Sequence, residues 1–377
     1  MSDPADPQAP ADPGAALGVV DSGLSLHDGA VPGQPNLLEV LDEPQRVAAD
    51  TRQALARRLS AYADIIDRDV GDTMLVRARN LEREVGLRQV YLKFEGDNPS
   101  GTQKDRIAFA QAMDALRRGY DSITVATCGN YGAALATAAA LAGLRCVVYI
   151  PRAYHTRRLE EIRAPGAEIV PVDGDYEQAV DASRERAARD DIYDASPGGA
   201  NTALHLQAYG AIADEIYDEL RDAPAAIAVP VSNGTTLAGI YRGFLSLYRR
   251  GRTSRMPRMI AGSAHRKNPI IQAYLKNLPR CEDLDPRSIR ETAVNEPLIN
   301  WHSFDGDHAL DAVRATSGWA GDASDRDMLA QARLIRELQG LSVLPASASS
   351  LVVLLDRHRR EPLPGDRYVV VLTGRKA

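Results

Sequence analysis

The run from Ser122 to Arg189 constrains this chain more than any other stretch, because strand and helix patterns alternate in it without a break. Ser122-Ile-Thr-Val-Ala-Thr127 is rich in β-branched residues and reads as a strand. Asn130 to Leu141 is an Ala-rich helix that stops near Gly143. Arg145-Cys-Val-Val-Tyr-Ile150 is the next strand, closed by Pro151. A helix over Tyr154–Arg163, a strand over Glu168–Val172 and a helix over Tyr176–Arg189 follow. Strands joined by crossover helices of this length pair in parallel, so the run predicts a small parallel sheet.

The same period continues outside the run. Glu43 to Asp67 has helical spacing at Val47, Leu55, Leu59, Tyr62 and Ile65. Ala203–Leu220 and Leu237–Arg249 read as helices, Ala226–Val231 as a strand, Ser347–Asp356 as a helix and Tyr368–Thr373 as a buried strand. We expect an α/β chain of two lobes with parallel-rich sheets flanked by helices. Residues 1–45, rich in Pro, Ala, Gly and Asp at their start, form a disordered or loosely docked arm. Residues 46–125 with 204–377 form the larger α/β domain and residues 126–203 the smaller. A length of 377 residues leaves room for both.

Composition removes several function classes. A net charge of −6 argues against nucleic-acid binding, which needs a basic face. No run of about 18 apolar residues offers a membrane span. The N-terminal residues lack the basic-then-apolar pattern of an export signal. Cys128, Cys146 and Cys281 are widely spaced, so neither a zinc site nor a disulfide framework is expected, and a reducing, cytoplasmic setting is the simplest reading. His155, His205, His265 and His302 lack metal-ligand spacing, and no metal is assigned.

Four loops carry polar chemistry. Glu95-Gly-Asp-Asn-Pro-Ser-Gly-Thr-Gln-Lys104-Asp-Arg106 holds one of only five lysines in a chain with forty arginines. Lysine, unlike arginine, can shed its proton and form a Schiff base; an ordinary lysine at a helix start is the other reading. Arg106 follows it closely enough to pair with a phosphate or carboxylate. Thr127-Cys-Gly-Asn-Tyr131 turns from strand to helix, where open amides hold an anion, or where Asn simply caps the helix. Ser232-Asn-Gly-Thr-Thr236 makes the same turn with hydroxyls added, which suits a phosphate. No GxxxxGK[ST] or GxGxxG is present. Thr373 lies at the carboxyl end of the last strand, where ligands of α/β sheets bind. Asn295–Gly306 is polar and aromatic and reads either as the wall of a substrate entrance or as a structured loop. Arg157-Arg158, Arg249-Arg250 and Arg359-Arg360 read as solvated faces.

In this order the four loops resemble the pyridoxal-phosphate enzymes of the tryptophan synthase β fold type (fold type II), and within them the threonine synthases. Asn98-Pro-Ser-Gly-Thr-Gln-Lys-Asp-Arg106, Pro345-Ala-Ser-Ala348 and Leu372-Thr-Gly374 are similar to that group's motifs, and the resemblance spans roughly Asp72 to Gly374. It implies pyridoxal 5'-phosphate as cofactor. Lys104 would carry the Schiff base and act as the catalytic base. Asn130 would meet the cofactor's phenolic oxygen, Ser232, Asn233, Gly234, Thr235 and Thr236 its phosphate, and Thr373 its pyridine nitrogen. Thr127, Cys128, Gly129, Tyr131 and Arg106 would hold the substrate. The reaction implied is that of a lyase turning O-phosphohomoserine and water into threonine and phosphate, with a small amino-acid substrate and a homodimer expected. Gln103 before the lysine and Leu344 before Pro-Ala-Ser depart from the group's usual aromatic and acidic residues. A β-replacement or dehydratase enzyme of the same fold, cysteine-synthase-like or diaminopropionate-forming, remains open, as does a non-catalytic protein that binds a phosphorylated metabolite.

Overall fold

The computed structural model describes residues 42–127, 129–152 and 158–376. The expected arm up to residue 41, Cys128 and the start of the helix expected from Tyr154 lie outside the described residues.

The chain opens with α1 (Glu43–Ala49) and α2 (Leu55–Asp69), then β1 (Leu75–Arg77), α3 (Arg79–Val85) and β2 (Val90–Phe94). The single helical pattern expected over Glu43–Asp67 is thus broken. Asp42 starts α1 with a capping box closed by Gln45, and Asp50 ends it in extended geometry. The Asp50 carboxylate accepts the Arg52 N–H at 3.1 Å, a local turn that competes with helix.

Next come α4 (Lys104–Arg117), β3 (Ser122–Ala126), α5 (Asn130–Leu141), β4 (Arg145–Pro151), α6 (Leu159–Arg163), β5 (Glu168–Val172), α7 (Tyr176–Asp190) and β6 (Tyr193–Asp194). The last part holds α8 (Thr202–Leu220), β7 (Ala226–Pro230), α9 (Thr235–Arg249), β8 (Arg258–Ala264), α10 (Pro269–Leu275), α11 (Gly306–Ala315), β9 (Trp319–Ala323), α12 (Asp325–Gln339), α13 (Ser349–Arg360) and β10 (Tyr368–Leu372).

The strands make two sheets. One has the order β5-β4-β3-β6 and is parallel throughout. The other has the order β1-β2-β10-β7-β8-β9, parallel except for the β1 edge. β10 is fully buried between β2 and β7, as its Tyr-Val-Val-Val-Leu run requires. The division expected from sequence assigns β3 to the larger domain, which it extends to residue 125. The strand is hydrogen-bonded instead between β4 and β6, so the small sheet begins at Ser122. A loop marks a break in local pattern, but backbone partners decide which sheet the strand before it joins.

The arrangement points one way. The loops after β2, β7 and β10 of the large sheet and after β3 of the small one all leave carboxyl ends. In a parallel sheet those ends face the N-termini of the following helices, where backbone N–H groups lack intrahelical partners.

Candidate active site

One cleft collects these four strand ends. Its lining includes Lys104, Thr127, Gly129, Asn130, Tyr131, Ser232, Asn233, Gly234, Thr235, Thr236 and Thr373. All the site residues expected from the sequence line it except Cys128, which is not described, and Arg106.

Lys104 is the first residue of α4, and its Nζ stands 5.7 Å from the centre of the Tyr131 ring. The turn before it is stitched to the C-terminal end of β10. The Gln103 N–H donates to the Thr373 carbonyl at 3.0 Å, the Arg375 N–H donates to the Gly101 carbonyl at 2.9 Å, and Thr102 bridges Gly374. The first and last motifs of the sequence are therefore one structural unit. Asp105 locks the turn from inside, accepting from the Ser100 N–H at 2.9 Å and the Ser100 hydroxyl at 2.8 Å. Burial pushes its carboxyl up to about 6 against these bonds.

Arg106 corrects the expectation that it meets a substrate. It lies behind the turn, 5 % exposed, and donates to Glu95 at 2.6 Å and Glu215 at 2.6 Å. Lys93, also buried, donates to Glu215 and the Thr73 carbonyl. Two cations and two carboxylates close on each other there, and a buried guanidinium with two such partners has no donors to spare for a ligand.

At the small sheet, Gly129 caps α5 at φ +138°, a conformation closed to residues with a Cβ. The Thr127 hydroxyl oxygen accepts the Gly129 N–H at 3.0 Å and the Gly132 N–H at 3.2 Å. Asn130 is oriented by Arg158, whose guanidinium donates to the Asn130 Oδ1 at 3.0 Å and to the Ser100 carbonyl at 2.7 Å. That leaves the Asn130 amide NH₂ as its remaining donor group. Arg158 is thus a buttress of the cleft, not the solvated side chain expected of an Arg-Arg pair.

At the large sheet, α9 begins at Thr235, two residues earlier than expected, with Gly234 as its cap at φ +87° and no side-chain cap. The loop is held from outside by residues that the sequence reading misses. Asn233 Oδ1 accepts from Asn300 at 3.2 Å and from the Phe304 N–H at 3.3 Å. Asn268 donates to the Ser232 carbonyl at 2.9 Å. Thr235 gives its only hydroxyl proton to Asp305 at 2.6 Å, and Thr202 donates to the same carboxylate at 2.7 Å. Asp305 is buried and ties α8, α9 and the 295–306 segment together. Of that segment, Glu296 to Ile299 line the cleft, as expected of a wall.

His205, weighed from sequence only as a metal ligand, lines the cleft instead. It is nearly fully buried, beside Gln111 at 2.6 Å and the Tyr131 hydroxyl at 3.3 Å. Burial, then the charge of Lys104, pulls its imidazole down to about 3, so it stays neutral. Ser347, adjacent to the lining residue Ala346, shares a 2.9 Å hydrogen bond with the Thr373 hydroxyl. No spacing rule links His205 or Asp305 to a lysine turn far away in sequence; only the folded sheets do.

A reactive amine, two uncapped helix starts and a neutral hydroxyl pair at one cleft define a class. Residues 66–374 match the family of pyridoxal-phosphate dependent enzymes, and the chain belongs to it. It is an enzyme of fold type II whose cofactor is pyridoxal 5'-phosphate. Among characterised relatives it is 30% identical to threonine synthase of Methanocaldococcus jannaschii over 305 residues, 80% of this chain and 74% of that protein. It is also 30% identical to threonine synthase of Mycobacterium bovis over 290 residues, 76% of this chain and 75% of that protein. In fold it is similar to maize serine racemase, with a TM-score of 0.71 at 17% identity over 85% of this chain and 92% of that one. A bacterial-type threonine deaminase, that of T.th., superposes with a TM-score of 0.70 at 19% identity, covering 85% of this chain and 97% of the other. The residues present fit the cofactor. The uncapped amides after Gly129 and Gly234 suit anionic groups, and Lys104 offers the amine between them.

Proposed function

We propose that the protein is a lyase of the threonine synthase kind, converting O-phosphohomoserine and water to threonine and phosphate. The observation that carries this reading is the stitching of the Lys104 turn to Thr373 across a cleft lined by both helix starts. The relatives' names point the same way. When bound, pyridoxal phosphate supplies the electron sink that stabilises negative charge at carbon atoms next to the substrate nitrogen. Lys104 Nζ would hold it covalently and, once released, take the substrate's Cα proton. The Ser232–Thr236 backbone amides with the Ser232 and Thr236 hydroxyls would bind the phosphate; Thr235 spends its proton on Asp305. Thr373, paired with neutral Ser347, offers the pyridine nitrogen no carboxylate to hold a proton there. Asn130 would donate to the phenolic oxygen, and the amides of Gly129 to Tyr131 to the substrate carboxylate. The strands β3 to β6 with their helices would form the small lobe, moving over the cleft to exclude water. A homodimer in the cytoplasm completes the reading; Cys146 and Cys281 are free thiols.

A second reading rests on charge. Among the described residues lining the cleft, Lys104 is the only lysine or arginine, and Glu296 shares the wall. A β-replacement or dehydratase reaction on a substrate without a phosphate suits that balance. Cofactor-loaded protein offered O-phosphohomoserine, O-phosphoserine or serine separates the two: threonine with free phosphate supports the first, and turnover of serine alone overturns it.

A further inference from the structure

A second concave site lies on the far side of the wall that carries Leu344. It is a groove of about 460 Å³ between α12 and the last residues of the chain. We propose that this groove binds a small organic anion, one with a phosphate or carboxylate head and an apolar body, at a site separate from the catalytic cleft.

Four cations converge on it: Arg326, Arg333, Arg336 and Lys376. The three arginines recur at the spacing that puts them on one face of α12, and Lys376 comes from the opposite wall. Among the described residues no carboxylate lines the groove, and none of these four side chains forms an ion pair, although the chain as a whole is acidic. The nearest acids on the helix are spoken for. Asp325 accepts from Thr292 at 2.7 Å and Asn295 at 3.2 Å, and Asp327 from Ser324 at 2.7 Å. Elsewhere arginines find carboxylates, as Arg255 does with Asp366 at 2.6 Å. Like charges gathered without counter-charges repel, and an anion that enters relieves that repulsion. Arginine forks also match the geometry of phosphate and carboxylate oxygens.

The apolar body follows from the remaining lining. Leu329 is 46 % exposed, one of the few large hydrophobic side chains left in the open, and Ala330, Val343 and Pro345 continue its surface. A volume of this size admits a small molecule. It is too confined to commit to a folded partner.

The position gives the site a consequence. The groove's floor is Ser342, Val343 and Pro345. Between them Leu344 lines the catalytic cleft, and its N–H donates to the Gly374 carbonyl at 3.0 Å. The Lys376 N–H donates to the Ser342 carbonyl at 3.0 Å. An anion drawn to Lys376 and the α12 arginines therefore bears on the ladder that holds Thr373.

The test uses cofactor-loaded enzyme, so that the phosphate-binding loop of the cleft is filled. Phenyl phosphate, inorganic phosphate and phenol are titrated calorimetrically into wild type and the Arg333→Gln/Arg336→Gln double variant. Both changes are on an exposed helix face, so melting temperature and basal activity should match wild type. The expected result is submillimolar binding of phenyl phosphate, weaker binding of phosphate, none of phenol, and a tenfold or greater loss of phenyl phosphate affinity in the variant. Equal affinity in both proteins overturns the proposal, as does no binding at all. Tighter capture of a hexaglutamate peptide, or a change of oligomeric state in the variant seen by sedimentation, overturns it too, by making the groove a protein-docking face. Because binding is read directly, the outcome is independent of which reaction the cleft performs.

Discussion

Lys93 and Lys104 sit eleven residues apart on either side of one turn, and they live in opposite surroundings. Lys93 is sealed behind the turn, its ammonium held by Glu215 and the Thr73 carbonyl, with Arg106 and Glu95 completing the cluster. Lys104 opens into the cleft beside an aromatic ring. The first is a charge fully answered by protein, so it has nothing left to do but hold the turn. The second faces a space bounded by amides and hydroxyls, where an amine can meet a ligand. Residue type sets what each lysine is able to do; the partners around it decide whether that capacity is used.

The strongest way to break the comparison is to exchange the two roles. Lys104→Ala should abolish covalent capture of pyridoxal phosphate, read by borohydride reduction and peptide mapping, and lower turnover by about 10⁴. Its melting temperature should stay near wild type. A reduced label on Lys93 or Lys267 would mean that the assignment is wrong.

Behind the turn the expectation reverses. Glu215→Ala strands Lys93 and part of Arg106 in the interior, and removing one partner of a buried ion pair costs about 3–5 kcal/mol. Urea unfolding should register that loss. Burial alone would raise the Glu215 carboxyl, but Arg106 and then Lys93 outweigh it and bring it down to about 2. Its folded form therefore binds fewer protons than the unfolded chain, and the stability it contributes is present above about pH 4.5 and lost as pH falls toward about 2. A Glu215→Ala chain as stable as wild type at pH 7 would remove the cluster from the argument.

Much of this is legible in the sequence. The strand and helix run from Ser122 and the buried Tyr368–Leu372 strand follow from local pattern, because the side-chain period is a local property. The loops that line the cleft are legible for a related reason: glycine and hydroxyl residues at strand-to-helix turns announce open amides. Arg106 is misplaced by that reading because charge next to a reactive lysine looks the same in sequence whether its partner is a ligand or a distant glutamate. Glu215, Asp305 and His205 act through contacts across 70 to 109 residues of chain. Nothing in their neighbours along the sequence encodes that.

The phosphate loop sharpens the comparison from the cleft side. Gly234→Asp adds a carboxylate where a dianion is expected, and the loss of about two charge-assisted bonds weakens cofactor affinity roughly a hundredfold. The loop itself will not escape. A Cβ at Gly234 would stand 2.7 Å from the Ala309 Cβ and 2.9 Å from the Ile270 Cδ1, at φ +87°. No local pattern around the loop announces that crowding. Gly234→Ala supplies the control: it carries the strain, about 1–2 kcal/mol, without the charge. Cofactor titration of both variants separates the effects, and equal affinity in the two would remove electrostatics as the cause.

The smallest effect sets a second pair of like residues against each other. Glu215 and Glu177 are both buried glutamates, but Glu177 lies at the cleft's edge, next to the lining residue Tyr176, and among the described residues no cation answers it. It accepts the His302 N–H at 3.3 Å with Asp175 nearby, and burial pushes its carboxyl up to about 7. The sign is then opposite to that of Glu215. The folded chain holds a proton that the unfolded chain has released, so stability falls as pH rises from about 4.5 to about 7. Glu177→Gln keeps an acceptor for the His302 N–H and carries no charge, so this fall should flatten by about 1–2 kcal/mol between pH 5 and pH 7.5. Urea midpoints at the two pH values give the difference directly. If wild type and variant lose stability in parallel, Glu177 titrates like a solvated carboxylate, and the presence or absence of a cation is not what distinguishes the two buried glutamates.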